Sequence, residues 1–137
     1  MHHKKCRILI VDDYQPIRET MRNLLTLHDD IQVIGEAANG SEAIQMVAAC
    51  RPDVILMDLN MPKRNGIDAA QEIKKAWKEA VIIGVCAVRD EYIVDTFLKA
   101  GAETVISKDS FVRELYPIIQ EACEKKLSSP DQPHIPT

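Results

Sequence analysis

Three aspartates and a lysine stand where apolar runs end, far apart in the chain. Asp12 and Asp13 follow Ile-Leu-Ile-Val, Asp58 follows Val-Ile-Leu-Met, and Lys108 follows Thr-Val-Ile-Ser. Cys86 closes another such run, Val-Ile-Ile-Gly-Val. If these runs are neighbouring strands, the carboxylates gather on one rim, where two charges about 4 Å apart repel by roughly 4 kcal/mol at an effective dielectric near 20. A divalent cation relieves that repulsion, and oxygen-only donors select Mg2+ or Mn2+, ions that often share their shell with a phosphoryl oxygen. With two carboxylates on the cation, a third can attack an activated phosphorus and form an aspartyl phosphate. Lys108 can neutralise the phosphoryl oxygens from the other side, completing the clamp that phosphoryl transfer requires. Asp58 is the best nucleophile, because it alone begins a long loop, 58–66, whose Pro62 and Gly66 can shape an open pocket. One aspartate at a strand end reads as a turn or a helix cap. The set of four carries the chemistry.

Positioning these groups requires strands that all end on one edge. Short apolar runs alternate with amphipathic helical patterns five times, the mark of repeated strand–helix units. Cys6–Val11, 53–57 and 80–86 are nearly unbroken Val/Ile/Leu/Met runs, expected of central strands covered on both faces. Ile31–Ala37 and the short Thr104–Ser107 mix in polar residues and are expected at the edges. Pro16 suits a first helical turn, with Ile17, Met21, Leu24 and Leu25 on one stripe. Asn39 and Glu42 resemble a capping box ahead of a buried face of Ala43, Ile44, Val47 and Ala48. Ile67, Ala70, Ile73 and Trp77 mark a third helix, and Ile93, Val94, Phe97 and Leu98 a fourth that stops at Gly101. Phe111, Leu115, Ile118, Ile119 and Ala122 mark a fifth, in which Pro117 forces a kink or a nearby start. Right-handed crossovers and edge-like second and fifth strands predict an α/β, doubly wound, five-stranded parallel sheet of order 2-1-3-4-5 with helices on both faces. Its ligand crevice lies beyond the carboxyl ends of strands 1 and 3.

The chain of 137 residues, 46% apolar and 28% charged, has room for a single core. A formal charge of -4, with no Lys/Arg block longer than a pair, excludes a nucleic-acid surface on this chain. Cys6, Cys50, Cys86 and Cys123 form no C-x-x-C pair and have no His at zinc-finger spacing, so they read as reduced thiols of a cytoplasmic protein. The apolar stretch 8–11 is too short for a signal peptide or a membrane span. His2 and His3 read as a solvated terminus. Residues 128–137, with Pro130, Pro133 and Pro136, read as a tail or linker.

Taken in order, Ile-Leu-Ile-Val-Asp-Asp at 8–13, Asp-Leu-Asn-Met-Pro at 58–62 with Gly66, Lys-Ala-Gly-Ala at 99–102 and Ser-Lys-Asp at 107–109 resemble the receiver domain of two-component response regulators. The resemblance covers 4–126 and leaves 127–137 as a Pro-rich tail; the stretch 30–40 is similar to the NarL/FixJ (LuxR-type) branch. It implies a flavodoxin-like, CheY-like fold and a Mg2+-dependent switch in which Asp58 accepts a phosphoryl group from a histidine kinase or a phosphotransfer protein. By the same resemblance Asp13, Asp58 and the main-chain carbonyl of Asn60 bind the metal directly, and Asp12 acts through water. Lys108, Cys86 and the main-chain amide of Ala87 would contact the phosphoryl group. The kinase would dock around Gln15, Pro16, Arg18, Asp109 and Ser110. A homodimer is a further implied partner. Branch members continue into a helix-turn-helix domain, so DNA would be reached through an effector beyond Thr137.

Three positions depart from the family pattern. Cys86 stands for the usual Ser or Thr, Val105 for a frequent aromatic, and Asp109 follows Lys108 where many members have a cis-proline, so a trans bond is expected here. Two other functions compete. A Mg2+-dependent phosphohydrolase would use the same nucleophile but add an acid two residues later, where this chain has Asn60, and a lid. A receiver-like interaction module that never becomes phosphorylated would use the face of helices 4 and 5, with Tyr92, Val105 and Tyr116 nearby.

Overall fold

The structure, a computed structural model, describes residues 5–60, 66–87 and 90–127. His2, His3, Pro62 and the tail 128–137 lie outside them, as does the side chain of Phe111. Strands and helices alternate in the order β1 (Cys6–Val11), α1 (Gln15–Leu25), β2 (Ile31–Ala37), α2 (Gly40–Cys50), β3 (Val54–Asp58), α3 (Gly66–Ala76), β4 (Val81–Cys86), α4 (Glu91–Lys99), β5 (Thr104–Ser107) and α5 (Phe111–Leu127). The strands form one sheet in the order β2-β1-β3-β4-β5, with every pairing parallel. The expected doubly wound α/β fold is the observed one, and the two polar-flecked strands do lie at its edges.

Successive strand residues face opposite sides of a sheet, and here the alternation builds two cores. Leu9, Val11, Ile55, Met57 and Ile82 pack with Val47, Ala69, Ile73 and Phe97 of α2, α3 and α4. Ile8, Ile10, Val54, Leu56 and Ile83 pack on the other face with Met21 and Leu25 of α1 and Leu115 and Ile119 of α5. Ile55 and Leu56 are both fully buried, on opposite faces, and truncating either to Ala is expected to cost about 2–5 kcal/mol.

Several local readings need adjustment. β3 and β4 each begin one residue later than the apolar runs suggest, and β3 includes Asp58. Asn39 caps α2 by accepting from the Glu42 amide at 2.9 Å, but the Glu42 carboxylate accepts from Ala38 at 2.8 Å, one residue outside a standard box. Ala48 is exposed, and Leu98 is 42% exposed, because neither turns toward the sheet. Trp77 follows α3 rather than ending it, and stacks under the Arg51 guanidinium at 4.7 Å. Gly101 takes φ +117° after α4, a conformation that suits glycine. Pro117 sits inside α5, which begins six residues earlier at Phe111, so the helix does not start near it.

The reading of four reduced cysteines is corrected by the fold. Cys6 and Cys123 form a disulfide, with Cα atoms 5.7 Å apart across a sequence separation of 117. α5 returns antiparallel to the strands, so its last turns lie beside the start of β1 on the same face. Spacing rules look for cysteines close in sequence and do not see such a pair. Cys50 and Cys86 remain outside disulfides. No helix among the described residues is long and apolar enough to cross a membrane.

Candidate functional site

The carboxyl ends of β1 and β3 deliver Asp12, Asp13 and Asp58 to one place, each offering an oxygen within 4.8 Å of the others. Asp12 is fully buried, Asp58 is 2% exposed, and Asp13 is exposed at the mouth. The peptides around them fix their aim. Asp12 Oδ1 accepts from the Tyr14 amide at 2.9 Å, and Asp58 Oδ1 accepts from the Asn60 amide at 3.1 Å. Gly66 brings α3 against this turn. A Cβ there would stand 2.5 Å from the Asp58 carbonyl oxygen and 2.9 Å from Leu59 Cα, so only a bare backbone fits.

Lys108 approaches from the far side. Its amide donates to the Cys86 carbonyl at 2.7 Å, tying the turn after β5 to the end of β4. Its Nζ then reaches 3.4 Å from Asp12 Oδ2 and 3.6 Å from Asp58 Oδ1. Burial raises the Asp58 carboxyl from 3.8 to about 6; the Asn60 amide and Lys108 pull it down, and the charges of Asp12 and Asp13 push it up. Among the described residues, Asp12 Oδ2 is the buried side-chain polar atom with no hydrogen-bond partner. An oxygen stripped of water in that way is costly, and it points into a cluster of hard oxygen donors. The donor set therefore fits a small divalent cation such as Mg2+, with no soft ligand among the three.

Cys86, 1% exposed, and the exposed Ala87 stand at the end of β4, next to the strand that carries Asp58. The peptide bond after Lys108 is trans, as expected. The aromatic-free position Val105 is buried in the α2–α4 core, where Phe97 lies against Gly84.

In two groupings from the sequence some members turn inward. Arg18, placed on the outer docking surface with the exposed Gln15 and Pro16, turns inward. It donates to the Asp12 carbonyl at 2.6 Å and to Glu36 at 3.0 Å, with a side chain 16% exposed. Its neighbours were unreadable in sequence, since Glu36 meets it only through the β1–β2 pairing. Of the residues expected near the face of helices 4 and 5, Val105 is buried, and Tyr116 stacks on His28 and donates to Asp30. Only Tyr92, 77% exposed, stands free of the fold.

Comparison with known proteins agrees with this geometry. A model of the response regulator receiver domain matches residues 8–120. The transcriptional regulatory protein YhcZ of Bacillus subtilis (strain 168) is 36% identical over 132 residues, 96% of this chain and 62% of that protein. The nitrate/nitrite response regulator NarL of Escherichia coli (strain K12) is 33% identical over 120 residues, 88% of this chain and 56% of that one. The chain thus spans less than two thirds of these relatives. Among solved structures, a LuxR-family two-component response regulator from Aurantimonas sp. SI85-9A1 superposes with a TM-score of 0.84 at 29% identity, covering 88% of this chain and 86% of that chain. The chain belongs to the response regulator receiver domain family, with NarL/LuxR-type regulators among its relatives.

Proposed function

We propose that this chain is a phosphoacceptor switch, in which Asp58 takes a phosphoryl group from a phosphohistidine on a histidine kinase or a phosphotransfer protein. The observation that carries the reading is Asp58 itself, 2% exposed, with its Oδ1 3.6 Å from the Lys108 ammonium and inside the aspartate trio. In the transfer, a carboxylate oxygen of Asp58 forms a bond to phosphorus as the phosphorus–nitrogen bond breaks. The leaving imidazole keeps the electron pair and takes up a proton. Lys108 stabilises charge on the phosphoryl oxygens, and the Asn60 amide holds Asp58 Oδ1 in aim. Bound Mg2+, held by Asp13, Asp58 and the Asn60 carbonyl with Asp12 acting through water, would neutralise the crowded carboxylates and the incoming phosphate. Cys86 and the Ala87 amide complete the phosphoryl contacts.

The family match over 8–120 supports a receiver spanning 4–126, followed by a linker at 127–137. The relatives named above are regulators longer than this chain, which supports a role as the input part of a transcriptional regulator. The phosphohydrolase reading loses ground at Asn60, whose exposed side chain offers no acid. The interaction-module reading is not favoured while the acceptor aspartates and Lys108 stand together.

Acetyl phosphate or phosphoramidate with Mg2+ tests the proposal by intact mass. One hydroxylamine-labile phosphoryl group is expected on the parent and none on Asp58→Ala. Turnover without accumulation supports the hydrolase. No loading under any condition overturns the switch.

A further inference from the structure

The two arginines of α1 reach across the edge of the sheet to one carboxylate, and one of them touches the acidic pocket from behind. Arg18 Nε donates to Glu36 Oε1 at 3.0 Å and Arg22 Nε to Glu36 Oε2 at 2.6 Å, so both carboxylate oxygens are occupied. Their charges, together with those hydrogen bonds, hold the Glu36 carboxyl below its usual range against the opposing pull of burial. Arg18 uses its remaining reach on the pocket, with Nη1 donating to the Asp12 carbonyl at 2.6 Å.

That carbonyl belongs to the peptide unit joining Asp12 to Asp13, the two carboxylates that β1 contributes. A peptide unit is planar, so fixing its oxygen fixes the direction in which the chain leaves Asp12 and enters Asp13. The other attachments of Asp12 are its amide, which donates to the Ala37 carbonyl at 3.1 Å, Oδ2, which lies 3.4 Å from Lys108 Nζ, and Oδ1, which accepts from Tyr14 at 2.9 Å and closes a turn across the Asp12–Asp13 peptide. None of these engages the carbonyl oxygen of the peptide that follows. Arg18 holds that oxygen directly. A neutral side chain there would leave the carbonyl to water and the Asp12–Asp13 peptide restrained only through the Asp12 Oδ1–Tyr14 turn.

We infer that Arg18, braced by Glu36, is a positioning residue for the cation-binding pocket: it sets the Asp12–Asp13 peptide and so the spacing of the carboxylates that receive Mg2+. The inference rests on the acceptor-site reading above. Partners that orient ligands without touching the metal alter affinity about ten- to a hundred-fold when removed. The bidentate fork explains why the position suits arginine, since lysine can reach the Asp12 carbonyl or Glu36 but cannot bridge them with fixed geometry.

The test titrates Mg2+ alone into the full chain and follows the amide resonances of Asp13, Tyr14 and Asn60, with no phosphodonor present. Arg18→Ala is expected to weaken Mg2+ binding about ten- to a hundred-fold, and Arg18→Lys to recover part of it. Acetyl phosphate loading of Arg18→Ala should then fall at limiting Mg2+ and recover as Mg2+ is raised, a rescue that a general loss of fold would not show. If Arg18→Ala does not fold, Glu36→Gln is read instead; it keeps the guanidinium but loosens its brace, and should weaken Mg2+ several-fold. Unchanged Mg2+ affinity in whichever of these variants folds overturns the inference, as does a loading defect equal at all Mg2+ concentrations. A parent that binds no Mg2+ overturns the acceptor-site reading and the inference with it.

Discussion

Lys108 Nζ stands 3.6 Å from Asp58 Oδ1, yet the Asp58 carboxyl is raised to about 6, because burial and the Asp12 and Asp13 charges outweigh one ammonium and one amide. An acid with a higher pKa folded than unfolded binds more protons in the folded state across that interval. Stability therefore falls as pH rises from about 4 to about 6 and stays lower above it. The rise of two units corresponds to at most roughly 3 kcal/mol, less what water at the open crevice screens. Asp58→Asn should raise the Tm at pH 7.5 and change it little at pH 4.5. Without Mg2+, thermal melts of both proteins across this range check the sign; equal pH profiles would remove Asp58 as the strained group.

Much of this pocket was legible in the sequence, for a physical reason. Buried parallel strands must be apolar throughout, so the aspartates that end β1 and β3 stand out as the first polar residues after Val11 and Met57. What stayed hidden depends on pairing between distant segments. Arg18 and Glu36 meet through the register that sets Ile10 opposite Glu36. Cys6 meets Cys123 because the last helix runs back over the first strand. Neither contact leaves a local spacing to read. The sequence departures at Cys86 and Val105 were visible, but their consequence depends on packing, as with Phe97 against Gly84.

Gly66→Ala probes how closely α3 must approach the acceptor. The new methyl would meet the Asp58 carbonyl oxygen at 2.5 Å and Leu59 Cα at 2.9 Å, both backbone atoms that have no rotamer to escape into. Overpacking of this kind costs about 1–3 kcal/mol. Loading at Asp58 should slow at least several-fold, because relief of the clash moves the strand end that carries the nucleophile. Denaturant melts and acetyl phosphate loading measure both effects, and parent-like loading would show that the strand end does not move.

Cys86→Ser tests whether the thiol limits the response. Cys86 is 1% exposed at the end of β4, and a thiol donates a hydrogen bond more weakly than a hydroxyl of nearly the same size. The variant should load as the parent does and show larger amide shift changes on loading along β4 and α4. Shift changes no larger than the parent's would remove Cys86 as the weak point.

The Cys6–Cys123 bond closes a loop with a sequence separation of 117, long enough that the cross-link restricts the unfolded chain strongly. Reduction or Cys123→Ser is expected to lower stability by about 2–4 kcal/mol. The bond sits at the amino end of β1, and the acidic pocket follows its carboxyl end, so the two should act independently. Melts with and without a reductant should therefore differ by several degrees, while loading of Asp58 with acetyl phosphate proceeds at the same rate in both. A loading rate that changed with reduction would mean that the docking of α5 on β1 reaches the Asp12–Asp13 turn through the strand itself.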